Sequence, residues 1–223
     1  MSSTNRSDAR DSHIADYYVT PISAIKDFLK EFIKGEYSNY FKTGYILDPC
    51  AGGNPEFKEV IGKGLPTGEQ IIIHPGNEMS YPTAIKEIFG KDHIESPEIL
   101  TMDIREDSKA EIKEDYLKYS FKKNFKNPPN VIITNPPFNL AQEIIEKALE
   151  DVVDDGLVIM LLRLNFFGSK SRSEFWKKHM PIKTFVHSQR MKFTNTGGTD
   201  SIEYMHCVWL KGYNPEFVKL KMI

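Results

Sequence analysis

Four consecutive residues, Asn135-Pro136-Pro137-Phe138, form the segment of this chain whose chemistry is easiest to read. They follow Val131-Ile132-Ile133-Thr134, an apolar run that reads as a buried strand. Two successive prolines remove two backbone donors and fix φ, so the chain leaves that strand rigidly. The Asn135 amide and the Pro136 carbonyl can then both accept from one amine, and Phe138 supplies a flat apolar face beside them. Such a set suits a planar heterocycle carrying an exocyclic NH2. The plainer alternative is a proline-rich turn with an asparagine cap.

A second segment, Asp48-Pro49-Cys50-Ala51-Gly52-Gly53-Asn54, follows the apolar Tyr45-Ile46-Leu47. Small residues let a backbone turn approach a ligand closely, and Asp48 can accept from a cationic amine or a hydroxyl; a turn chosen only for backbone geometry would read the same way. No Gly-Lys-Ser/Thr follows, so this is not a phosphate loop. A third candidate is Asp103, after Ile99-Leu100. An acid ending the second strand of an open α/β sheet can accept from ribose hydroxyls of a nucleoside cofactor, although taken alone a solvated or capping aspartate is the simpler reading. Asp115 is followed by Tyr116 and Leu117, both able to lie against a base.

These residues need a scaffold that brings strand ends together. Short apolar runs at 45–47, 99–100, 131–133, 157–162 and 185–186, with a last one at 204–210, alternate with helical patterns at 82–89, 140–152 and 171–179. Ile22, Ile25, Phe28, Leu29, Phe32 and Ile33 add an earlier helix that Gly35 stops. Strand and helix alternating at this spacing predict βαβ units and a parallel sheet, with ligands bound outside the carboxyl ends of its strands. Residues 1–16 read as a flexible polar arm, and residues 54–77 as a surface insertion, in which Gln70-Ile71-Ile72-Ile73 could be an extra strand.

With these motifs in view, the chain resembles a class I S-adenosylmethionine-dependent methyltransferase of the adenine-specific DNA type found in phages. Asn135-Pro136-Pro137-Phe138 is similar to the family's catalytic motif, and Asp48-Pro49-Cys50-Ala51-Gly52 to its cofactor loop. Tyr17-Tyr18-Val19-Thr20-Pro21 resembles the segment that closes over the methionine part of the cofactor. Arg190-Met191-Lys192-Phe193, followed by Gly197-Gly198, resembles the late motif whose aromatic residue helps hold the target base. The resemblance implies a Rossmann-like fold, a mostly parallel seven-stranded sheet with a C-terminal antiparallel strand and helices on both faces. It implies one catalytic domain over residues 17–223.

It further implies S-adenosylmethionine held by Tyr17, Tyr18, Thr20, Pro21, the 48–53 loop including Gly53, Asp103 and Asp115. Catalysis would fall to Asn135, Pro136, Pro137 and Phe138, and substrate binding to Phe138, Arg163, Lys170, Arg172, Arg190 and Phe193. Two departures from the family pattern stand out. Asn54 occupies a position that is usually Gly, and Asp103 lies far beyond Asp48, which leaves Glu78 as the rival for the ribose. If Glu78 holds it, Asp103 takes the cofactor adenine in place of Asp115. The expected substrate is DNA, methylated at adenine N6; RNA adenine, a protein glutamine amide, or a non-catalytic nucleic-acid-binding decoy are the alternatives.

Composition sets the outer bounds. Lys and Arg total 29 against 31 Asp and Glu, a net charge of −2, which argues against binding nucleic acid through excess positive charge alone. Local basic clusters remain: Lys118, Lys122, Lys123 and Lys126 before the catalytic strand, and Lys170, Arg172, Lys177 and Lys178 after the 157–162 run. Each also reads as a solvated face, and the second is favoured for nucleic acid. The longest apolar runs fall far short of the ~20 residues that cross a bilayer, and no apolar signal core opens the chain. Two cysteines and no paired histidine spacing leave no metal site in view. A soluble cytoplasmic protein, a monomer or weak dimer without a membrane or metal partner, is expected.

Overall fold

The computed structural model describes residues 19–35, 37–42, 44–53, 60–63, 70–73, 78–90, 97–193 and 201–223. Expectations that fall on Tyr17, Tyr18, Asn54, Gly197 and Gly198 therefore lie outside the described residues. In chain order the elements are α1 (Ile22–Phe32), β1 (Tyr45–Asp48), β2 (Val60–Lys63), β3 (Gln70–Ile73), α2 (Ser80–Phe89), β4 (Glu98–Thr101) and α3 (Phe121–Asn124). They continue with β5 (Val131–Thr134), α4 (Ala141–Asp151), β6 (Leu157–Arg163), α5 (Ser173–Lys178), β7 (Lys183–Val186), β8 (Tyr204–Leu210) and β9 (Lys219–Met222).

Seven strands form one sheet in the order β4-β1-β5-β6-β8-β7-β9. β1, β4, β5 and β6 run parallel, β8 is antiparallel to both β6 and β7, and β9 is parallel to β7. This is the expected mixed, mostly parallel architecture. The central strands β5 and β6 read as continuous apolar runs because helices cover the sheet on both sides, leaving no polar face to alternate with. β2 and β3 form a separate antiparallel hairpin, so the possible strand at 70–73 exists but stands outside the main sheet.

α1 buries Ile25, Phe28, Leu29 and Phe32 with α2 against one face of the sheet. Each such side chain contributes roughly 1.5–3 kcal/mol through removal from water. α2 begins two residues before the expected start at Pro82. Pro82 sits in the first turn, where a missing N–H breaks no intrahelical bond, so proline marks the neighbourhood of a helix start but not its first residue. α4 and α5 pack on the other face, with Ile144, Ile145, Phe175 and Trp176 buried there.

One polar seam crosses the apolar layer beneath α1 and α2. His187 Nε2 and His206 Nδ1 are 2.8 Å apart, and His206 Nε2 lies 2.9 Å from the Tyr81 hydroxyl. Phe28 stacks on the His206 ring at 4.2 Å. Burial pushes His187 down to about 4 and His206 well below the usual histidine range, so both are neutral at pH 7. His206 and Cys207 are fully buried, as expected of core residues.

Candidate functional site

The chain crosses from β1 to β4 on one side and returns to β5 on the other, which makes the carboxyl ends of β1 and β5 a topological switch point. Ligands of open α/β sheets bind at that place. Here a cleft open to solvent is lined by residues from both strand ends and from α2, α4 and the loop after β4. Gly52 and Gly53 turn the β1 loop into it with φ of +68° and +73°, the left-handed conformation that other residues resist. A Cβ on Gly53 would lie 3.0 Å from Met79 Cγ and 3.2 Å from Lys109 Cβ, so the site needs glycine for space as well.

Several polar atoms around the switch point are buried and have no hydrogen-bond partner among the described residues: Asp48 Oδ2, Thr134 Oγ1 and Asn135 Oδ1. The Asn135 side chain is nevertheless anchored, since its Nδ2 donates to Thr20 Oγ1 at 3.0 Å. With the amide nitrogen spent there, the amide oxygen is left as an acceptor in the cleft wall. The Pro137 carbonyl accepts from Leu140 N, whereas that of Pro136 accepts no backbone hydrogen bond among the described residues. Asp48 is fully buried beneath the loop, and Cys50 N donates to its Oδ1 at 3.3 Å. Burial pushes its carboxyl up to about 7, against the opposing pull of the Thr134 hydroxyl and the Cys50 amide. Thr134 stands close enough for that pull but makes no hydrogen bond of ordinary geometry.

Asp103 lines the cleft directly after β4, while Glu78 is exposed and accepts from Thr83 Oγ1, away from the lining. Asp103 Oδ2 accepts from Gly52 N at 2.8 Å, and its Oδ1 accepts from Arg105 N and Nε at 2.9 and 3.2 Å. A carboxylate has about four acceptor sites, so Asp103 braces the loop and keeps capacity for one further donor. Asp115 lies at the cleft's edge; its Oδ1 accepts from Leu117 N, and Lys118 pairs with its Oδ2. Ile104 and Leu140, both exposed apolar side chains, line the same cleft as Leu117, Pro137 and the two acids, and so give it an apolar slot.

Beside the cleft, Phe138 packs into an aromatic group with Tyr204 and Phe193, at 5.7 and 4.7 Å from the Tyr204 ring respectively. Arg163, at the end of β6, lies over Phe138. Pro21 and Arg190 line a different cavity, next to His187 and Asp27. Arg190 pairs with Glu203, Lys177 with Glu174, and Arg172 donates to the Phe166 carbonyl, so three of the basic residues proposed for nucleic acid have acidic or carbonyl partners within the chain. Lys170 and Lys178 are exposed.

The structure thus gathers Thr20, Pro49, Cys50, Ala51, Gly52, Asp103, Asp115, Asn135 and Pro137 around one cleft. It sets Asp48 and Gly53 behind the lining and Phe138, Arg163 and Phe193 to one side. Ser80, Tyr81, Arg105 and Leu140 also face the cleft and were not singled out from sequence. Leu140 carried a usable signal, being an apolar residue just ahead of a helix whose buried face is already complete. Among the described residues no helix is long and apolar enough to cross a membrane, and no group of three His, Cys, Asp or Glu residues could hold a metal ion.

No protein-family model and no curated protein sequence matches this chain. Solved structures do. A protein described as a candidate class I S-adenosylmethionine-dependent methyltransferase from Listeria monocytogenes superposes with a TM-score of 0.56 at 15% identity, covering 92% of this chain and 65% of that one. The M protein of the type I restriction enzyme EcoKI gives 0.54 at 12% identity, covering 92% and 48%. A candidate RNA methyltransferase from Pyrococcus horikoshii gives 0.53 at 13%, covering 88% of each chain. The chain spans less than two thirds of the length of the first two. At these identities the shared property is the fold, that of Rossmann-like class I methyltransferases.

Proposed function

We propose that the protein transfers a methyl group from S-adenosylmethionine to the exocyclic N6 amine of adenine in DNA by direct displacement. The observation that carries this reading is the anchored Asn135 side chain, whose buried oxygen lacks a donor at the switch-point cleft. A buried acceptor left unpaired costs about 1–3 kcal/mol, and a substrate N–H removes that cost. The similar fold of a restriction-enzyme M protein supports DNA as substrate, and the similar fold of an RNA methyltransferase keeps RNA adenine as the second reading.

The cleft suits the cofactor. Its apolar slot matches a flat purine, Asp115 can accept from the purine amine, and Asp103 has one acceptor position left for a ribose hydroxyl. Asp48, buried and with its carboxyl pushed up to about 7, is set to ionise fully when an ammonium group approaches. When bound, S-adenosylmethionine supplies a methyl on a positively charged sulfur, which needs no metal and no covalent enzyme intermediate.

The target nitrogen is a poor nucleophile because its lone pair is delocalised into the ring. Asn135 Oδ1 and the Pro136 carbonyl accept its two N–H groups, favour a pyramidal nitrogen and aim the lone pair. Both contacts strengthen as positive charge grows on that nitrogen, so they stabilise the transition state more than the ground state. Rigid placement by two prolines adds orientation, worth up to roughly 7–11 kcal/mol in favourable cases. Phe138 and Phe193 offer aromatic surface to the base, which in duplex DNA must be flipped out at a cost of a few kcal/mol. Lys170 and Lys178 supply exposed charge for phosphates.

The test is Asn135→Ala, assayed for transfer of labelled methyl to DNA and to RNA and for cofactor affinity by calorimetry. Transfer to DNA disappears while cofactor binding stays within a few-fold of the parent. Equal loss of both would overturn this division of labour, and transfer to RNA alone by the parent would replace the DNA reading.

A further inference from the structure

We infer that Arg163 occupies the seat of the target base on Phe138 in the free protein, and turns to that nucleotide's phosphate when the base arrives; this rests on the adenine reading above. Arg163 is the last residue of β6, paired in register with Tyr204 of β8. Its guanidinium carbon lies 4.3 Å from the centre of the Phe138 ring. A guanidinium is planar and stacks on aromatic faces as a base does. It therefore holds the surface that an extruded adenine needs for stacking beside Asn135.

Two further observations argue that this stack is provisional. Arg163 Nε is buried and has no acceptor among the described residues. Arg172 provides an internal contrast: it lies over Phe166 at the same 4.3 Å, yet its Nη1 donates to the Phe166 carbonyl at 3.1 Å. One stack is closed by a hydrogen bond, and the other keeps a buried donor unspent. The chemistry gives the direction of the change. A cation held against an amine that is acquiring positive charge opposes the reaction, so the guanidinium must leave that face or meet an anion before methyl transfer. The extruded nucleotide brings such an anion with it. Guanidinium and phosphate then pair in fork geometry, while Phe138 passes from the cation to the base.

Two probes separate the parts of the exchange: adenosine, which carries the base without phosphate, and oligodeoxyadenylate, which carries both. Each is titrated against parent, Arg163→Gln and Arg163→Lys, with the cleft saturated by S-adenosylhomocysteine so that adenosine cannot occupy it; retained S-adenosylhomocysteine affinity shows that a variant is folded. Arg163→Gln binds adenosine several-fold more tightly than the parent and oligodeoxyadenylate about tenfold more weakly at ~0.1 M salt. Its log–log salt slope falls by about 0.7, the value for one phosphate contact on a single strand. Arg163→Lys keeps the slope, because it keeps the charge, and still binds adenosine more tightly, because an ammonium does not stack as a plane. If both probes weaken together in Arg163→Gln, or the slope does not move, the exchange is wrong. A parent protein that binds neither probe overturns the adenine reading itself, which is a different outcome.

Discussion

At the ends of β1 and β5, Asp48 Oδ2, Thr134 Oγ1 and Asn135 Oδ1 are buried without partners among the described residues. From the wall of the same cleft, Tyr81 leads inward to His206 and His187; these three are just as deeply buried, yet they join one another through contacts of 2.8–2.9 Å. Proteins satisfy nearly all of their buried polar atoms, so a cluster of exceptions at a strand end calls for a missing partner, and a completed chain does not. On the methyl-transfer reading, the first set is arranged for something that arrives. The second finishes itself and belongs to the fold.

If that distinction holds, substitutions in the two regions damage different quantities. The largest effect expected is on catalysis: Asn135→Ala lowers methyl transfer by ~10²–10³-fold, following the size seen when one transition-state hydrogen bond is removed, while urea unfolding places its stability within about 1 kcal/mol of the parent. His206→Leu does the reverse. It strands the Tyr81 hydroxyl and His187 Nε2 in the core and costs about 3 kcal/mol of stability, read from the urea midpoint. A stability loss for Asn135→Ala as large as that for His206→Leu would erase the contrast.

Acid sharpens the comparison, because the two regions respond with opposite sign. His187 titrates near 4 in the folded protein against 6.5 ordinarily, so the unfolded chain takes up a proton that the native state refuses. The stability this provides at pH 7 is lost as pH falls from about 6.5 towards 4, roughly 3 kcal/mol from this residue alone. Asp48 titrates near 7 against 3.8 ordinarily, so here the native state holds the extra proton and stability is gained as pH falls through that window. The two partly cancel. Asp48→Asn removes the compensating arm, so its urea midpoint falls more steeply between pH 6.5 and 4 than the parent's. Parallel curves would show that Asp48 stays ionised in the folded protein across that window. The smallest effect is expected for Tyr81→Phe, which leaves one ring nitrogen of His206 unpaired and costs about 1–2 kcal/mol in the same assay.

Much of this was legible in the sequence, for an identifiable reason. Apolar periodicity reports which residues are buried, so β5, β6, β8, α1 and α4 were found nearly to the residue, and strand ends then located Asp48, Asp103 and Asn135 at one side of the sheet. Pairings between distant residues leave no such trace. Nothing in the local pattern tells that Tyr81 meets His206, that Asp103 braces Gly52, or that Arg163 lies on Phe138. The basic cluster at 170–178 looked like one charged edge, but side chains at helical spacing also neutralise one another, as Lys177 does with Glu174. β9 was missed because Lys219-Leu220-Lys221-Met222 is short and exposed along its whole length, which gives it no burial pattern to read.

Gly53 and Met79 nearly touch, since a Cβ on the glycine would lie 3.3 Å from the Met79 nitrogen. The chain therefore leaves the β1 loop and comes back to the same place, having made the β2–β3 hairpin in between. Gly52 is held by Asp103, and Lys109 N donates to the carbonyls of Gly52 and Gly53, so the departure point is fixed independently of what the excursion contains. Closing a loop costs only about 0.6 kcal/mol more for each doubling of its length. We therefore expect the segment between Gly53 and Met79 to be variable: its length and composition should change in descendants of this protein, or be exchanged by an engineer, while the cleft keeps its shape.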